Sequence, residues 1–139
     1  MRKTYAVLSS FFAALTALLS KCGVAGISSN LATAVRTAVI LVLTWGIVIF
    51  TGGLTQIKTL STRNTVFLVM SGIATGLSWL FYFKALQLAD VSKVAPVDKL
   101  SVVIAVFLGF IVLREQVSAR VAAGALLVLA GSLVILSGK

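Results

Sequence analysis

Five ionisable residues stand inside apolar stretches of this 139-residue sequence: Lys21, Arg36, Lys84, Asp98 and Lys99. Charge in such a stretch is costly and is normally turned toward a cavity, a partner or a ligand. Arg36 has the least room for escape. Its guanidinium cannot lose its proton, and it lies about two helical turns into its segment. Asp98 has Val94, Ala95, Ser101 and Val102 at the positions that would face it on its own helix. An ionised Asp98 therefore needs water or a partner from another helix, and Arg36 with Asp98 is the first candidate pair. Trp79 and Tyr82 add aromatic faces near the same depth. Together these residues could capture an anionic or zwitterionic solute, with Asp98 titrating or exchanging partners. A plainer reading has Lys21, Lys84 and Lys99 snorkelling to lipid headgroups and Trp79 and Tyr82 serving as interfacial anchors.

Other chemistries are excluded by composition. There is no histidine and one cysteine, Cys22. A metal site built on Cys and His clusters, a Ser-His-Asp or Cys-His catalytic set and a disulfide within the chain are all ruled out. No cofactor is expected, and the chain does not read as an enzyme.

The elements that must position these residues are membrane helices. Sixty per cent of the residues are apolar and 11% are charged, whereas a soluble domain is about one quarter charged. A spanning helix needs about 20 residues. Charged and turn-forming residues divide the chain into five apolar blocks, predicting helices over about 4–24, 30–50, 64–88, 92–113 and 118–136. Ser28-Ser29-Asn30 supplies an N-cap signal for the second helix and Thr51-Gly52-Gly53 ends it. A loop with Lys58 and Arg63 follows. Pro96 is expected to be tolerated in the first turn of the fourth helix. Arg2-Lys3 and the apolar run behind them resemble a signal peptide. Lys21 occupies the place before Cys22 where a lipoprotein cleavage box requires a small residue, so a retained helix is expected.

Five antiparallel crossings place the termini on opposite sides. Arg2, Lys3, Lys58, Arg63, Arg114 and Arg120 fall on the N-terminal side, and Lys93 and Lys139 on the other. The positive-inside rule then predicts a cytoplasmic N-terminus. Lys21, Lys84 and Lys99 near the outer ends nearly erase that bias, so dual topology is open. In this arrangement all five intramembrane charges share one third of the bilayer and converge on one vestibule. The net charge of +9 is absorbed by helix ends meeting lipid phosphates and calls for no nucleic acid. Gly72 with Gly76, and Gly124, Gly131 and Gly138, are packing signals. Thr33, Thr37, Ile40 and Thr44 form a stripe that suits packing or a ligand path equally well.

The last sixty residues carry a resemblance. Lys84-Ala85-Leu86 ends the third helix, Asp90-Val91-Ser92-Lys93-Val94-Ala95-Pro96 leads into the fourth, Arg114-Glu115 closes it, and Gly124, Ala130 and Gly131 punctuate the fifth. This pattern resembles the EamA family of the drug/metabolite transporter superfamily, most specifically from about Phe83 to Gly131. Arg114 departs from the family, which usually has glycine there. Glu115 is expected to be structural, bonded to Arg114, Arg120 or the following turn.

The resemblance implies an all-α membrane protein: one EamA-like domain over 1–139, forming one half of an inverted-repeat, ten-helix transporter fold. It implies pairing, as a homodimer (antiparallel arrangements included) or with a paralogue, around a central cavity. The expected setting is the bacterial inner membrane. The expected function is secondary transport or export of a small polar metabolite, with Arg36, Asp98, Lys21, Lys84, Lys99, Trp79 and Tyr82 as candidate substrate contacts. The alternative is a lipid-headgroup flippase or an accessory membrane subunit. Small multidrug transporters of the same superfamily bind cations through a glutamate in the first helix. Here the first helix has no acid, which argues against cationic drugs.

Overall fold

In the computed structural model, which describes residues 2–138, the apolar blocks are helices: α1 (Arg2–Gly23), α2 (Ser29–Phe50), α3 (Thr62–Leu88), α4 (Val91–Asp98), α5 (Leu100–Val112) and α6 (Ala119–Ser137). Lys139, counted in the charge balance above, lies outside the described residues. The helices form five stretches long and apolar enough to cross a membrane, α4 and α5 together making the stretch Val91–Val112. The chain is an all-α, multi-pass membrane protein. Its outward surface follows from that solvent: Phe50 is 93% exposed and Phe81 74%, side chains that hydrocarbon covers at no cost.

Local chemistry sets the helix starts. Ser28 Oγ accepts from the Leu31 N–H (3.2 Å), Ser61 Oγ from the Asn64 N–H (3.2 Å) and Ser118 Oγ from the Val121 N–H (3.4 Å). Each satisfies a donor that the first turn leaves open. The Ser61 cap starts α3 two residues earlier than the sequence suggests and brings Arg63 into the helix. Gly52, at φ 73°, turns the chain out of α2. The expected loop after it is a 3₁₀ helix, Gly53–Thr59.

The fourth span departs most from expectation. The sequence predicts one helix, but the structure breaks it at Lys99. The α4 helix begins at Val91, so Pro96 falls in its second turn. There Pro96 has no N–H to give the Ser92 carbonyl, and its ring crowds that turn. Three residues later the Lys99 N–H bonds to Pro96 O (3.1 Å), an i−3 partner, before α5 resumes. The α5 helix ends in a second irregularity: Arg114 adopts φ 53°, the conformation glycine takes at a helix end. Behind it the Glu115 N–H closes back onto Gly109 O (3.1 Å).

Two compact units result, Leu19–Gln87 and Met1–Leu18 with Leu88–Lys139. In the first, Val24, Ala32, Thr33, Phe83 and Leu86 are buried, drawn from the end of α1, the start of α2 and the end of α3. In the second, α6 packs on α4 and α5. Its buried Ser132 donates to the Pro96 carbonyl at 2.9 Å. The glycine packing signals are open: a Cβ at Gly72, Gly76, Gly124 or Gly131 meets nothing within 4 Å.

Candidate functional site

The unit Leu19–Gln87 contains Lys21, Arg36, Lys58, Arg63 and Lys84 and no acidic residue. Arg36 is the eighth residue of α2, about 10 Å along the axis from Ser29. At that depth it is half-buried, and no carboxylate of its own unit can neutralise it. Aromatic faces take that role. The guanidinium carbon sits 4.2 Å from the Trp79 ring centroid and 5.7 Å from that of Phe83. Trp79 and Phe83 are one helical turn apart on α3, so both rings project on the same side. A desolvated cation over an indole face is stabilised by about 2 kcal/mol. Nη1 of Arg36 also donates to Ser20 Oγ, in the last turn of α1, at 3.3 Å.

Lys21, the residue after Ser20, is held at the end of α3. Its Nζ donates to Leu86 O at 2.6 Å, one of the carbonyls that the end of α3 leaves without a helical donor. A cation there also complements the helix dipole. Gln87 Nε2 donates to Ile27 O at 2.6 Å, pinning the α1–α2 turn to the end of α3. Lys21, Gly26, Leu86 and Gln87 line a cleft of about 360 Å³. Lys84 is exposed, and the Tyr82 ring stands edge-on to Phe83, centroids 6.3 Å apart. The stripe on α2 is internally bonded: Thr33, Thr37 and Thr44 hydroxyls donate to the carbonyls of Ser29, Thr33 and Ile40.

Asp98 and Lys99 belong to the other unit. Lys99 Nζ lies 3.7 Å from Asp98 Oδ2. The two residues are neighbours in sequence and meet where α4 gives way to α5. The sequence argument sought a partner for Asp98 on another helix and missed this neighbour. Both side chains are exposed, so the pair is a loose one. The expected pairing of Arg36 with Asp98 joins residues of the two units and stays a proposal. Glu115 makes no ion pair with Arg114 or Arg120 among the described residues. Its carboxylate rests over Gly109, where a Cβ would come within 3.2 Å of Oε2.

Lys21, Arg36 and Trp79 are thus brought into one cluster at the α1, α2 and α3 ends. Sequence reading missed Ser20, Phe83, Gln87 and Ser132. Phe83 had a signal, its i+4 spacing from Trp79; the other three are ordinary polar residues at helix ends or faces, marked only by their contacts.

A family model described as the EamA-like transporter family matches residues 3–137. The chain belongs to that family. A relative from Sinorhizobium sp., named "Uncharacterized transporter in cobO 3'region", is 47% identical over 130 residues, covering 88% of this chain and 92% of that one. No solved structure matches the chain. EamA membership points to transport rather than catalysis and agrees with five apolar spans.

Proposed function

We propose that this chain is a secondary transporter of a small polar metabolite, with Arg36 as its principal substrate contact. The observation that carries the reading is the stack of Arg36 on Trp79 inside a unit without acids. Burying a guanidinium costs free energy, and a site that keeps one without a carboxylate partner is suited to an anionic group arriving from outside the protein. Trp79, Tyr82, Lys21 and Lys84 in the same unit, and Asp98 and Lys99 in the other, are secondary contacts on this reading.

The carrier works as a dimer around a central cavity by alternating access, in the bacterial inner membrane, with the N-terminus in the cytoplasm or with both orientations present. Supporting this, the Sinorhizobium relative, 92% of which is matched, has no room for a second five-helix unit. Efflux from proteoliposomes loaded with a mixture of labelled metabolites tests the function. Arg36→Ala is expected to lower efflux by at least about tenfold at unchanged protein level, the loss of one charge-assisted contact. If no water-soluble solute crosses and Arg36→Ala alters lipid binding alone, the flippase reading replaces this one. The coupling of Arg36 and Asp98 is read from the double variant that exchanges the two residues. Recovery of flux lost in either single variant supports the pair.

A further inference from the structure

Resting on the reading of Arg36 as the substrate contact, we propose that the group it grips is a single carboxylate, taken edge-on by Nε and Nη2. The guanidinium carbon lies over the Trp79 ring, 4.2 Å from its centroid, and Nη1 donates to Ser20 Oγ. No hydrogen bond among the described residues occupies the Nε–Nη2 edge. That edge offers two parallel N–H groups at the separation of two carboxylate oxygens, a bidentate match that an ammonium cannot make.

Charge narrows the class further. Of the neighbouring cations, Lys21 is committed to the Leu86 carbonyl and Lys84 is exposed. The guanidinium is therefore the group that meets the ligand's charge directly, and one negative charge balances it, with Lys21 and Lys84 as outlying contacts. A phosphate group carries about −1.5 to −2 at neutral pH and would leave uncompensated charge against Trp79, Phe83 and the apolar spans. An amine is repelled, because residues 19–87 hold no acid to receive it. The ligand is thus a metabolite that presents one carboxylate to this point, an overall zwitterion included if its amine lies elsewhere.

The sequence has two tryptophans, Trp45 and Trp79, so a Trp45→Phe chain reports from Trp79 alone. Embedded in zwitterionic-lipid nanodiscs, it is titrated with acetate, propionate, inorganic phosphate and methylammonium at constant ionic strength. The expected result is a saturable change in Trp79 emission with both carboxylates. Arg36→Gln abolishes it, and Arg36→Lys raises the half-saturation concentration about tenfold, the cost of one charge-assisted hydrogen bond. Saturation by phosphate at lower concentration than the carboxylates, saturation by methylammonium, or no saturable response to either carboxylate overturns the proposal. Should Arg36→Gln fail to fold, the ranking of the four probes on the parent chain decides alone. Flux measured in parallel separates the two claims. Metabolite efflux that depends on Arg36 without a carboxylate response leaves transport standing and removes the carboxylate. A carboxylate response that depends on Arg36 without flux of any solute does the reverse.

Discussion

Within its own unit, a guanidinium in an apolar span meets π faces and no carboxylate, and that choice has measurable consequences at single residues. Trp79→Leu removes the nearer face. It is expected to destabilise the protein by about 1–2 kcal/mol and to weaken transport, whereas Trp79→Phe keeps a face and retains more of both; thermal unfolding in detergent and efflux rates check the order. Arg114 is a different case. Its φ of 53° costs a side-chain-bearing residue about 1 kcal/mol. Arg114→Gly is therefore expected to raise stability by about that amount in the same unfolding assay and to leave transport unchanged. The position of Arg36 inside an apolar run was legible in the sequence, because such an arginine announces itself. Its stacking partner was not, since Trp79 stands 43 positions later and only the packing of α3 beside α2 brings it near.

At the scale of elements, the spans and their starts were largely written in the chain. Long apolar runs and the serines at 28 and 118 mark them directly. The break in the fourth span was not legible, because a proline close to a helix start reads as tolerated, and a shift of the start by one residue moves it into the second turn. Ser132 holds the Pro96 carbonyl at 2.9 Å and so fixes the irregular backbone in place. Pro96→Ala restores an N–H for the Ser92 carbonyl. It is expected to heal the helix through Lys99, which hydrogen exchange would register as slower exchange at residues 98–102.

For the molecule as a whole, the distribution of charge matters more than its total. All three acids lie beyond residue 88, and residues 19–87 are purely cationic. The near-equal spread of cations between the two expected faces predicts that C-terminal reporter fusions will light up on both sides of the membrane. A single orientation, in cells lacking a similar second chain, would dismiss the inverted homodimer. The lack of acids within residues 19–87 has an electrical consequence as well. On the carboxylate reading, and with Asp98 of the other unit disengaged, the charge at this position is cancelled only while cargo is aboard. Within the field of an energised membrane the empty carrier then bears a full positive charge at Arg36 and the occupied one none. A charge carried across the whole field changes energy by about 2.3 kcal/mol per 100 mV. For a cargo whose only charge is that carboxylate, voltage therefore acts at this position on the return of the empty carrier and spares the loaded step, so each such turnover is electrogenic and its rate tracks the electrical state of the cell.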